Sequence, residues 1–71
     1  MTRDICVAVG ERVRALRKAR GWRQIDLAEH SGINVIYLSY LERGKKEVCL
    51  RNLEVLALTF EKSLSEFLKG L

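Results

Sequence analysis

Apolar residues recur along the first part of the chain at helical spacing. Ile5, Val9, Val13 and Leu16 are separated by four, four and three residues, which puts them on one face of an α-helix. The pattern predicts a first helix that starts after Thr2 and ends near Arg20, with Gly21 as its stop signal. A second helix is expected over about Gln24–His30, with Asp26 in its first turn, where a negative charge suits the helix dipole. Trp22 and Leu27 have the spacing of a hydrophobic staple if Arg23 takes the cap position, for which arginine is poorly suited. The stretch "SGIN" at 31–34 then breaks the pattern. Gly32 can take the positive φ of a tight turn, and Asn34 is a good N-cap for a third helix, about Val35–Arg43, stopped by Gly44. "GKKEVC" reads as a loop, and a fourth helix, about Leu50–Phe60, carries Leu53, Leu56, Ala57 and Phe60 on one stripe. Ser63 and Glu66 form an S-x-x-E capping box that starts a fifth helix at Leu64, carrying Phe67 and Leu68. Five short helices joined by tight turns predict an all-α, compact five-helix domain spanning residues 1–71.

The third helix departs from the usual division into one apolar stripe and one polar face. Seven of the nine residues from Ile33 to Leu41 are aliphatic or aromatic. At about 100° per residue, Leu38 and Leu41 lie about 60° apart and define an inner face. Ile36, Tyr40 and Arg43 point to the opposite side, with Ser39 near its edge and Val35 and Tyr37 flanking it. Burial all round is hard for so short a helix in so small a domain, so this face is expected to meet another macromolecule, the alternative being that Ile36 and Tyr40 pack on another part of the chain.

Charge sharpens that expectation. The formal net charge is +4, but residues 1–46 hold ten Lys/Arg against five Asp/Glu, whereas residues 47–71 hold three against four. A basic front and a nearly neutral, apolar back imply two different partners. Other classes fall away. The two cysteines, Cys6 and Cys49, and the one histidine, His30, form no Cys-x-x-Cys or His-Cys cluster, so neither a zinc site nor any other cofactor is expected. A Cys6–Cys49 disulfide is possible on paper, against the plainer reading of two buried thiols in a reducing cytoplasm. The longest apolar stretches fall far short of the roughly 20 residues of a membrane span. No acid–base pair, activated nucleophile or glycine-rich phosphate loop is present, and no catalysis is expected.

Two short helices separated by a glycine turn and followed by a basic loop describe a helix-turn-helix, here over about residues 24–43, whose second helix enters the DNA major groove. Ala28 is the small residue that lets the two helices approach, Gly32 makes the turn, and Ile33, Leu38 and Leu41 hold the second helix to the core. The chain resembles the Cro and lambda-repressor type of helix-turn-helix domain, the XRE family. The resemblance runs from about Val9 to Leu68 through "GERVRALRKARGWRQIDLAEHSGI", "YLSYLERGKK" and "LRNLEVLALTFEKSLSEFL". Within the family, "IYLSYLERGKK" looks most like the small controller proteins of bacterial restriction–modification systems. The family usually has Ser or Thr where Arg23 stands, often polar or basic residues at Val35 and Ile36, and tends to have Gly at Glu61, so the last turn is expected to differ.

Base readout is assigned to Val35, Ile36, Ser39 and Tyr40. Val35 and Ile36 cannot donate to guanine but can touch thymine methyl groups. Phosphate contacts are assigned to Arg23, Gln24, Asn34, Tyr37, Arg43, Lys45 and Lys46; for Gln24, Arg23 and Tyr37 this follows the family's pattern. The resemblance also implies that Arg17 and Glu42 form a structural ion pair linking the first helix to the end of the third. Trp22 is expected in the core or staple and His30 on the surface. A C-terminal region, about residues 48–71, is expected to join two copies through Val48, Leu50, Leu64, Phe67, Leu68 and Leu71. The partners expected are thus double-stranded DNA and a second copy, with RNA polymerase left open as a third. The leading function is a homodimeric transcriptional regulator. Beside it stand a phage-type repressor, an antitoxin-like regulator, and a protein-interaction module that kept the fold without DNA binding.

Overall fold

The computed structural model describes residues 4–71, which form five helices: α1 (Ile5–Ala19), α2 (Gln24–Ser31), α3 (Val35–Glu42), α4 (Leu50–Thr59) and α5 (Leu64–Leu68). Each expected helix is present, and the caps explain its limits. Thr2 lies outside the described residues; α1 begins behind Asp4, whose carboxylate accepts from the Cys6 amide. Arg23 does cap α2, but a guanidinium has no acceptor. Only the returning half of a capping box forms, with Asp26 accepting from the Arg23 amide at 2.7 Å. Gly32 closes α2 in the left-handed region, at φ 75°. Asn34 accepts from the amides of Ile36 and Tyr37 and opens α3. Ser63 and Glu66 exchange both capping bonds at the start of α5.

The core gathers one face from every helix: Val9 and Val13 of α1, Leu27 of α2, Leu38 and Leu41 of α3, Leu56 and Ala57 of α4, and Phe67 of α5, with Phe60 behind α4. Each large aliphatic or aromatic side chain so removed from water contributes roughly 1.5–3 kcal/mol. Ile5, expected on the α1 core face, is instead mostly exposed, because it lies in the first turn, beyond the packed centre. Trp22 and Ile33 pack on the core margin, and His30 stacks on the Trp22 ring at 4.2 Å.

Two backbone details stand out, one where α1 crosses α3 and one in the last turn. A Cβ on Gly10 of α1 would collide with the carbonyl oxygen of Leu41, so glycine there lets α1 and α3 cross at backbone contact. Glu61 stands in the turn between α4 and α5 with φ 58°, the one non-glycine residue at positive φ among those described. The turn therefore takes the conformation glycine would favour, without the glycine. The cysteines are free: Cys6 is half-buried and Cys49 exposed. Cys49 caps α4 by accepting from the Asn52 amide, which corrects the expectation that both thiols are buried.

Candidate nucleic-acid interface

The outward face of α3 is uncovered. Ile36 is 64% exposed and Tyr40 41% exposed, whereas Leu38 and Leu41 on the opposite side are fully buried. Val35 and Ser39 sit half-buried at the edges. Arg43 folds back along the helix, donating Nε–H to the Ser39 carbonyl at 3.2 Å. Its guanidinium lies 4.8 Å from the Tyr40 ring, and the Lys46 ammonium lies 5.9 Å from the same ring. Lys45 and Lys46 are exposed in the loop that follows. Ile36 and Tyr40 are thus exposed on one helix face, with the cations of Arg43 and Lys46 against the Tyr40 ring.

The start of α2 faces solvent with a different arrangement. Arg23 is exposed but holds Asp26 through Nε and a terminal nitrogen, each at 3.1 Å, which partly cancels its charge. These bonds, with that from the Arg23 amide, keep the Asp26 carboxyl below its ordinary range. Gln24 donates from Nε2 to the Glu42 carboxylate at 3.1 Å, leaving its second amide hydrogen and its backbone N–H for a phosphate. Asn34 spends its oxygen on the α3 cap and keeps its NH₂ free to donate.

Glu42 ties the motif together. Arg17 of α1 grips it in parallel, Nε to Oε2 at 2.7 Å and a terminal nitrogen to Oε1 at 2.8 Å, and donates a third bond to the Trp22 carbonyl. The bond to Glu42 holds the guanidinium even more firmly charged than usual. Both side chains are nearly enclosed, and losing one partner of such a pair costs about 3–5 kcal/mol in fully buried cases.

Two residues assigned from the sequence already have partners within the fold. The Tyr37 hydroxyl donates to the Glu47 carbonyl at 2.7 Å. A phosphate oxygen only accepts, and a phenol has one hydrogen, so Tyr37 braces the loop in this structure and would hold a phosphate only by giving up that bond. Phe67 is fully buried in the core and has no surface left for a second copy. The other interface candidates also divide. Leu50 and Leu64 share a hollow with Arg51 and Glu54, Val48 and Leu68 line a separate apolar groove with Leu53, and Leu71 lies beside α1. Sequence reasoning missed Arg51 and Glu54, whose signal was an opposite-charge pair three residues apart. It also missed Arg12, which anchors the end of α5 by donating to the carbonyls of Phe67 and Lys69.

Two short helices set across a left-handed glycine turn, the second presenting an uncovered face beside a basic loop, define a helix-turn-helix. A model of that family, described as helix-turn-helix, matches residues 13–67, and the chain belongs to this family, in its XRE type. It is a family of DNA-binding transcriptional regulators. The fold superposes on the restriction–modification controller protein C.AhdI of Aeromonas hydrophila with a TM-score of 0.81 at 37% identity, covering 87% of this chain and 94% of that one. A hypothetical transcription factor from Neisseria gives 0.84 at 28% identity, over 92% of this chain and 75% of that one. Among curated relatives, the HTH-type transcriptional regulator DdrOP3 of Deinococcus deserti is 43% identical over 60 residues, 84% of this chain and 46% of that protein. The immunity repressor of Bacillus phage phi105 is 37% identical over 51 residues, 72% of this chain and 35% of that protein. The chain spans less than half the length of these curated relatives. Among the described residues, no helix is long and apolar enough to cross a membrane.

Proposed function

We propose that this protein is a sequence-specific regulator of transcription that binds double-stranded DNA as a homodimer on an inverted repeat, in the manner of a restriction–modification controller. The observation that carries the reading is the uncovered α3 face, with Ile36 and Tyr40 exposed beside Arg43, Lys45 and Lys46. With α3 in the major groove, the free backbone N–H groups at the start of α2 and the cations after α3 meet phosphates on either side. Ile36, Tyr40, Val35 and Ser39 then face base edges.

One eight-residue helix reads too few base pairs to define a unique site, and two-fold symmetry doubles the count. The hollow of Leu50, Arg51, Glu54 and Leu64 supports that symmetry. It pairs two exposed leucines with one cation and one anion, so a two-fold axis sets leucine on leucine and Arg51 against the partner's charge of opposite sign.

Titration with duplex DNA at two salt concentrations tests the reading. Affinity should fall steeply as salt rises. Arg43→Ala leaves one phosphate without its cation and should lower the slope of log K against log salt by about 0.9. The same exposed Ile36 and Tyr40 would serve a protein-interaction module. Absence of any salt-dependent DNA binding would overturn the DNA-binding reading and leave that one standing.

A further inference from the structure

The outward face of α3 has an unusual chemical makeup at its first turn. Ile36 is 64% exposed. Four residues before it stands Gly32, which has no side chain to shadow it, and Ile33 is turned onto the core. Two of the acceptor side chains near this turn are already committed. The Asn34 oxygen is occupied by the amides of Ile36 and Tyr37, and the Glu42 carboxylate is enclosed with Arg17 and Gln24. The nearest outward side chain along the helix, Tyr40, is bordered by the cations of Arg43 and Lys46, and Arg43 is tethered to the Ser39 carbonyl. The group standing furthest out at the tip of the recognition helix is therefore the aliphatic Ile36 side chain, with the Asn34 amide and the Ser39 hydroxyl to its sides.

Resting on the DNA-binding reading above, we infer that Ile36 is a specificity-determining residue that reads the C5-methyl group of a pyrimidine in the major groove, and that 5-methylcytosine satisfies it as thymine does. Thymine carries a methyl at C5, next to the O4 acceptor; cytosine carries hydrogen at C5 and an N4 donor. Telling thymine from 5-methylcytosine requires a group that bonds O4 or N4. Ile36 can do neither, and it senses only whether the methyl is there. Methylation of a cytosine at the contacted position would then strengthen binding by the same contact that a thymine provides.

The experiment begins with selection of bound sequences from a random duplex pool. At each pyrimidine of the selected half-site, two matched pairs are compared by direct titration: thymine against uracil, and 5-methylcytosine against cytosine. Within each pair only the methyl differs. At one position both pairs should show about fourfold tighter binding with the methyl, from burial of one carbon group. In Ile36→Ala both differences should shrink toward unity, and in Ile36→Val they should be intermediate. Circular dichroism should report an unchanged fold, since Ile36 is not in the core. The inference is overturned if no position responds to the methyl, if thymine responds and 5-methylcytosine does not, or if the methyl effect survives in Ile36→Ala. A selection that enriches no sequence at all overturns the DNA-binding reading itself, and this inference with it.

Discussion

At the scale of single residues, Glu61 takes a backbone conformation that glycine favours, without being glycine. Its φ of 58° lies where a side chain costs about 1–2 kcal/mol, and its exposed bond to Arg20 returns little of that. Glu61→Gly relieves the strain and adds freedom to the unfolded chain, a penalty of about 0.5–1 kcal/mol. The net expectation is a gain of roughly 0.5 kcal/mol, read from the urea midpoint; a loss of stability would mean that the Arg20 contact outweighs the backbone. Tyr37 carries a related lesson. The sequence places it correctly on the flank of α3, but its hydroxyl finds a carbonyl ten residues further on, and nothing local announces that partner.

Between elements, the crossing of α1 and α3 depends on Gly10. Gly10→Ala puts a methyl against the backbone oxygens of Leu41 and Glu42, which cannot swing aside as a side chain would. The overpacking cost of about 1–3 kcal/mol should exceed the helix propensity gained by alanine, so the urea midpoint should fall. The caps predict a pH dependence. Bonds from Arg23 and Ser63 hold the carboxyls of Asp26 and Glu66 below their ordinary values. Their stabilisation is complete above the ordinary carboxylate range, about pH 4–4.5, and fades as pH falls through the lowered folded values. The Asp26→Asn, Glu66→Gln double variant should be less stable than the parent at pH 7 and should lose less on moving to pH 3, in parallel urea titrations. Helix limits were legible in the sequence to within a residue or two, because Gly21, Gly32, Asn34, Ser63 and Glu66 act on their own neighbours. Gly10 and Arg12 were not, since their partners lie across the fold, at Leu41 and Phe67. Periodicity also finds an apolar face without saying what covers it, so Phe67, which closes the core, was grouped with Leu50, which does not.

For the whole molecule, the prediction concerns the second copy. Leu50 is 82% exposed at the first turn of α4, beside Arg51, Glu54 and Leu64. Leu50→Glu places a like charge on both sides of the proposed two-fold axis, while an acidic residue in a first helical turn leaves the fold itself unharmed. Sedimentation should show a dimer for the parent and a monomer for the variant, with circular dichroism unchanged; a dimer that persists in the variant moves the interface elsewhere. The way α3 is fastened has a wider consequence. Its start is fixed by Asn34 and its end by Glu42, and its inner side by Leu38 and Leu41. Ile36, Tyr40 and Arg43 have no part in the core. Mutation can therefore rewrite the outward message of this helix while its grammar stays intact. On the DNA-binding reading proposed above, new operators would then lie within a few substitutions that leave the fastenings of α3 untouched.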